Sequence, residues 1–319
     1  MAKIFVTMAA ATAFAIALTA TGPACANPLL ITPTFDSTIT SDPNAAAIEG
    51  TINSAINFYD TTFTTVSPID VSIDFKEMTS GLGQSTTTVV KETYTNFINA
   101  LKSHSSGDAT DTTALAHLPP GPSNPVTGSA FINGKAADMS ALGFATPAGF
   151  DGTIGLNTSI TDIPSGGPFS LFAVTEHEID EVLGLGSDLT GSGFFSDPAA
   201  EDLFRYNASG GRSYTTSPSA LAYLSLDGTT LLAQFDNQND GGDWGDWQSN
   251  PLPFGVLPKV QDAFATPGSH PVLTLSSPEV IALDAIGYNL AAPAPEPATL
   301  ALLGLGLAGL VLVRRRKLS

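Results

Sequence analysis

The feature that most constrains this chain is a short stretch that is both apolar and crowded with acid. From position 169 it reads Phe-Ser-Leu-Phe-Ala-Val-Thr-Glu-His-Glu-Ile-Asp-Glu-Val-Leu and ends on Gly184. Phe172, Ala173, Val174, Val182 and Leu183 give it the pattern of a buried helix rather than a surface one, so Glu176, Glu178, Asp180 and Glu181 are carried toward an interior. Glu176 and Asp180 form a like-charge pair one turn apart, which costs about 0.2–0.5 kcal/mol on an exposed helix and more when buried. A bound divalent cation relieves that repulsion, whereas a plain solvated acidic face conflicts with the apolar flanks. His177 and Glu181 stand at i and i+4 on one helix face and can address one ion. Glu178 is offset by about 100° and reaches water beside the ion rather than the ion itself. Two ligands one turn apart with a carboxylate between them suit metal-assisted hydrolysis.

The two ends of the chain read as targeting segments. Lys3, an apolar run over 4–18 and Ala24-Cys25-Ala26 make residues 1–26 a signal peptide cut before Asn27. A lipoprotein reading of Cys25 fails on Gly22, where a Leu is wanted. At the other end Pro295-Glu296-Pro297 precedes an uncharged apolar stretch, 298–313, and then Arg314-Arg315-Arg316-Lys317. As a helix that stretch spans about 24 Å against a hydrocarbon core of about 30 Å, enough for a single transmembrane segment with some thinning. Its basic flank stays in the cytoplasm, which puts everything upstream outside the inner membrane. The order of the three parts resembles the PEP-CTERM sorting signal of Gram-negative bacteria. The resemblance implies an exosortase-type processing enzyme as partner, transient anchoring through 298–313, and a cell-surface or extracellular destination.

Setting these ends aside sharpens the composition. The whole chain has a formal charge of −18. Lys3, Arg314, Arg315, Arg316, Lys317 and Glu296 lie in the two ends, and without them seven basic side chains face 29 acidic ones, a charge near −22. Such a surface repels nucleic acid and anionic lipid at long range, leaving the membrane to the C-terminal segment alone. The only cysteine falls in the signal peptide, which excludes a disulfide framework and any Cys-rich zinc module.

Between the ends, residues 27–290 are expected to form one domain, with an N-terminal part over 27–130, an active-site part over 131–290 and the sorting segment over 291–319. Asp42-Pro43 reads as a helix start, and Ala47, Ile48, Ile52, Ala55, Ile56 and Tyr59 follow at helical spacing. Ile69, Val71, Ile73 and Phe75 alternate with polar residues as a half-buried strand. Residues 81–88 read as a flexible loop, and Val90, Tyr94, Phe97, Ile98 and Leu101 as a second amphipathic helix. Pro119-Pro120-Gly121-Pro122 breaks the chain before a short strand at 130–132, and 152–156 is another strand. Asp227-Gly228, flanked by 222–226 and 229–235, signals a two-residue hairpin, and a helix over 277–288 closes the region. Without regular βαβ alternation the pattern favours an α+β fold.

The segment His177-Glu178 followed by Gly184, with Asp151-Gly152-Thr153-Ile154-Gly155-Leu156-Asn157 before it, resembles the metzincin zinc metallopeptidases, especially the leishmanolysin-like branch. The likeness spans roughly residues 130–290. Asp246-Trp247 stands where that branch has a late His-Trp, 262–268 where it has its Met-turn, and 283–288 where it has a closing helix. Asp202-Leu203-Phe204-Arg205-Tyr206 also looks like exported bacterial relatives. The resemblance implies a zincin-like fold, a small twisted mixed sheet with an active-site helix, and peptide-bond hydrolysis. It carries over His177 as a metal ligand and Glu178 as general base. Glu181 replaces the family's second His, Asp246 its third, and Ala265 stands near the Met of the turn, so these two ligands are proposals on their reach. One His with two carboxylates leaves a bound zinc site formally neutral, which weakens the acidification of water and widens the metal choice toward Mn²⁺ or Ca²⁺. The competing expectation is a noncatalytic metal-binding surface or extracellular-matrix protein on a degenerate zincin fold.

Weaker signals remain. Residues 236–243, rich in Asp, Asn and Gly, read either as an oxygen-rich calcium loop or as a solvated turn, and the EF-hand pattern fails because Trp247 takes its twelfth position. His270 is the reserve third ligand, ahead of His104 and His117. Trp244 and Trp247 are either a substrate platform or packing beneath the loop.

Overall fold

The computed structural model describes residues 27–292 except 191, 195, 196 and 238. The signal peptide with Cys25, and the sorting segment with Pro295-Glu296-Pro297 and 298–313, lie outside the described residues. In chain order the elements are β1 (Asn27–Phe35), α1 (Ser37–Thr40), α2 (Ala45–Thr62), β2 (Phe63–Thr65), β3 (Ile69–Glu77), β4 (Gly83–Thr87), β5 (Val89–Thr93), α3 (Tyr94–His104), α4 (Ala109–His117), β6 (Phe131–Lys135), α5 (Ala136–Ala141), β7 (Gly152–Leu156) and α6 (Leu171–Leu183). Short strands follow, β8 (Leu189–Thr190), β9 (Gly193–Phe194), β10 (Arg205–Tyr206), β11 (Tyr223–Leu224) and β12 (Ala233–Gln234), before α7 (Pro278–Ile286) and β13 (Asn289–Leu290).

The result is α+β around a mixed six-stranded sheet of order β13-β2-β1-β3-β7-β4. Strands β1, β3 and β7 are parallel, and β4 closes one edge antiparallel to β7, with Gly83 opposite Leu156 and Thr87 opposite Gly152. The alternation of Val71, Ile73 and Phe75 does place all three in the core. Strand β1 carries Pro28 and Pro33, residues that weaken a strand signal, yet Leu29 and Ile31 alternate inward from it. Helix α6 packs on α2, β4 and β7. Eleven of its thirteen residues are buried, as its apolar flanks require. Ser170 caps it by accepting from the Ala173 N–H, and Gly184, at φ 146°, ends it.

Four local expectations are corrected. Residues 81–88 are mostly strand: the Ser85-Thr86-Thr87 run pairs along β7, and the tight turn before it is pinned by Asn157, whose amide donates to the Gly81 carbonyl. Helix α2 begins at Ala45, because the Asp42 carboxylate accepts from the Asn44 N–H and forms a turn before the helix instead of capping it. Val90 belongs to β5, paired with Gly134, and the second helix starts only at Tyr94. The Asp227-Gly228 turn exists, but Leu224 pairs with Ala233, so the connection is longer than two residues; Asp227 instead accepts from the Thr229 and Thr230 N–H groups.

The seat of α6 on β7 depends on a missing side chain. A Cβ added to Gly152 would lie 2.5 Å from Val182 Cγ2. Gly152→Ala should therefore lower stability by about 1–3 kcal/mol in urea unfolding, with partial recovery in the Gly152→Ala/Val182→Ala double variant. An unchanged midpoint would show that α6 does not sit this close.

Candidate metal centre

Three side chains from two distant segments meet over α6. His177, Glu181 and Asp246 each place one ligand atom within 4.8 Å of the others. His177 Nε2 lies 3.9 Å from Glu181 Oε1 and 3.7 Å from Asp246 Oδ2. Ligands at ordinary zinc distances in a tetrahedron are about 3.4 Å apart, so a small contraction around an ion closes the set. The i, i+4 spacing supplies the first pair. Asp246 arrives because Trp247 is stitched into the backbone on both sides: its N–H donates to the Gln261 carbonyl, its carbonyl accepts from the Ala263 N–H, and Asp236 N–H donates to the Asp246 carbonyl at 2.7 Å.

Each donor is oriented by a second contact. The ring Nδ1 of His177 is 3.0 Å from the Val260 carbonyl, which only accepts, so Nδ1 carries a proton and Nε2 is directed at the carboxylates. Ser85 on β4 donates to Glu181 Oε2 at 2.5 Å. Gln261 donates to Asp246 Oδ1 at 2.9 Å. Trp247 is buried against Phe235 and donates from Nε1 to Glu279 Oε1, which also accepts from the Gln261 N–H, so Trp247 packs and does not form a substrate platform. Glu178 faces the same cleft beside β4, where a side chain on Gly83 would collide with its Oε1.

The cleft has a volume of about 680 Å³. Its walls are the β4 strand with the turn before it, Phe169 and the Ala173–Glu181 face of α6, and the loops bearing Asp243, Asp246 and Phe264. Strand β4 is the last in its sheet, so its outer edge has no strand partner among the described residues.

The electrostatics show where negative charge is concentrated. Burial alone would lower His177, but Asp246, Glu178 and Glu181 outweigh it and raise the imidazole to about 10. Burial pushes Asp246 and Glu178 above the carboxylate range, with neighbouring carboxylates adding to the shift and His177 opposing it. Behind them burial also lifts Glu176 and Glu201 to about 8 and Asp262 to about 7.

Sequence reasoning placed His177, Glu178, Glu181 and Asp246 in one site, and the structure brings all four to one cleft. His270 does not join them: it is exposed and pairs with Asp162 at 3.4 Å. His104 and His117 turn Nδ1 to carbonyls within their own helices. The 236–243 segment is pinned by Asn237, which donates to the Ser217 and Ala220 carbonyls and accepts from Arg205, so this Asn is structural. Ser85, Gln261 and Glu279 were missed. Ser85 fell in the presumed loop, whereas Glu279, a lone acid opening an apolar helix, was a usable signal.

Comparison with protein families matches residues 293–317 to the PEP-CTERM protein-sorting motif. The protein is therefore exported and sorted by an exosortase-type enzyme to the cell surface. No curated protein and no solved structure matches the chain.

The raised groups fix the direction of a pH effect. Each holds a proton in the native state that the unfolded chain releases earlier, so their stabilisation is complete below the ordinary carboxylate range. It is lost as pH rises through about 7 to 8, and for His177 through about 10. Thermal unfolding in chelator should show a midpoint that falls from pH 5 to pH 9. A midpoint that rises over that range would contradict the assignment.

Proposed function

We propose that this exported protein is a metal-dependent peptidase of metzincin-like type, with His177, Glu181 and Asp246 as ligands and Glu178 as general base. The observation that carries the reading is the convergence of one imidazole and two carboxylates in a cleft beside a free strand edge, with a further carboxylate one residue from the first ligand. The donor set fits a borderline divalent ion such as zinc. Two carboxylates balance its charge, and the imidazole is already turned with Nε2 toward them. Bound there, zinc supplies Lewis acidity toward a carbonyl oxygen and toward water.

The chain's own residues supply the remaining functions. Ser85 and Gln261 hold the two carboxylates, and Val260 holds the imidazole. The outer edge of β4 offers backbone N–H and C=O groups to an extended peptide, which would lie along the cleft past Glu178. In the metal-free protein Glu178 is protonated by burial and by its negative neighbours. Neutralising those neighbours frees its carboxylate to take a proton from water and return it to the leaving amine.

A cation-binding but noncatalytic surface protein is the second reading. It is favoured by the donor set itself, because Glu181 and Asp246 cancel the ion's charge and weaken its pull on water.

Elemental analysis of the purified exported protein should give one transition metal per chain, lost in His177→Ala. Glu178→Gln should keep the metal and lose about 100-fold or more of its peptide hydrolysis. Metal without cleavage of casein or a peptide library from pH 5 to 10 would leave only the noncatalytic reading, and absence of metal would remove both.

A further inference from the structure

The register of β4 decides which of its main-chain groups are free. At one end of the strand the Asn157 N–H donates to the Leu82 carbonyl, and at the other the Thr88 N–H donates to the Asp151 carbonyl. Between them the pairing runs without a bulge, from Gly83 opposite Leu156 to Thr87 opposite Gly152. Hydrogen-bonded and non-hydrogen-bonded pairs alternate along an antiparallel ladder, so the even-numbered residues Gln84 and Thr86 direct their main-chain groups to β7. The N–H and C=O groups of Gly83, Ser85 and Thr87 point the other way, to the outer edge, which has no strand partner among the described residues.

Side chains alternate with the same period. Gly83, Ser85 and Thr87 form the half-buried face of the strand, while Gln84 and Thr86 are exposed. On the half-buried face Ser85 Oγ donates to Glu181 Oε2 at 2.5 Å. This hydrogen bond divides the Glu181 carboxylate between two partners, since the other oxygen, Oε1, is the one 3.9 Å from His177 Nε2. Gly83 lies against the neighbouring acid: a Cβ there would collide with Glu178 Oε1 and come within 2.8 Å of Val174 Cγ1. The main-chain groups free to receive a peptide therefore belong to residues that touch the candidate ligand and the candidate base.

Ser85 is thus common to two binding events. An ion at Glu181 Oε1 fixes the carboxylate, and through Oε2 it fixes Ser85 and the main chain that Ser85 presents. A peptide paired on that main chain fixes Ser85 and thereby aims Oε1 at the ion. Two ligands that favour one arrangement strengthen each other, and by linkage the factor is the same in both directions. We propose that Ser85 is a positioning residue that couples peptide binding to ion binding in the cleft, so that the ion-free protein holds peptide weakly. The inference rests on the reading of the cleft as a metal-dependent peptide site.

The test uses the exported chain carrying Glu178→Gln, which keeps the ligands and prevents cleavage. The probe is a fluorescein-labelled library of dodecapeptides without His, Cys, Asp or Glu, which binds no zinc of its own. Anisotropy gives the peptide affinity with and without zinc chloride, and calorimetry gives the zinc affinity with and without peptide. Each ligand should tighten the other by the same factor, about fivefold or more. Adding Ser85→Ala should leave both binding but bring the factor to about twofold or less, and Ser85→Thr, which keeps the hydroxyl, should restore it. Thr86→Ala, on the opposite face, should leave the factor unchanged. Zinc and peptide that bind without affecting each other overturn the coupling alone. A factor undiminished in Ser85→Ala, meaning direct contact of ion and peptide, or loss of all binding there, meaning a structural role, overturns it equally. Failure of zinc or of peptide to bind the parent overturns the reading of the cleft, and the coupling falls with it.

Discussion

Tyr59 reaches from α2 to α6, and its hydroxyl lies 2.8 Å from both Asp180 Oδ1 and the Glu176 carbonyl. This contact joins the helix that carries the charge to the helix that covers it. Asp180 is raised well above the carboxylate range, first by burial and then by Glu279 and Glu176, so it sits in the core as a neutral acid. At about 100° per residue Asp180 lies about 60° from His177 on one side and Glu181 about 40° on the other, so fastening Asp180 inward leaves His177 and Glu181 turned toward the cleft. The roll of one helix thus decides whether His177 and Glu181 face the cleft or the core, and the Tyr59–Asp180 contact helps to hold it.

Much of the site was legible because helical spacing is a local property. His177, Glu178 and Glu181 could be placed on their faces from the sequence, and the apolar flanks indicated burial. Asp246 required a likeness to other proteins, because nothing local shows that a loop 65 residues beyond Glu181 returns to α6. What brings it back is nonlocal: the Trp247 backbone bridged to both Phe235 and Asp262, and an indole anchored on α7. Strand β4 was misread for a related reason. Ser85, Thr86 and Thr87 show no apolar alternation, because an edge strand partly open to a polar cleft does not need it, and only pairing with β7 makes them a strand. Pro28 and Pro33 similarly obscured β1.

The chain also shows how an exported, strongly acidic protein with a single cysteine, Cys25, can hold its interior together. A single cysteine allows no disulfide within the chain, and several buried acids are held instead by phenolic, hydroxyl, amide and indole donors, as Tyr59, Ser85, Gln261 and Trp247 illustrate. Arg205 is a fully buried cation among these acids, donating to the Trp244 carbonyl and Asn237 and lying over the Phe235 ring. The raised carboxylates make such a core responsive to proton activity rather than to redox state.

The order of the strands bears on how the protein is displayed. β13 is the outermost strand at one edge of the sheet and is followed almost at once by the sorting motif, whereas β4, which lines the cleft, is the outermost strand at the other edge. Five strand spacings separate them, about 24 Å at the usual interval of about 4.8 Å. The last described strand and the strand that lines the cleft are thus at opposite edges of the sheet. The width of the sheet therefore sets how far the cleft strand stands from the strand on which the described chain ends.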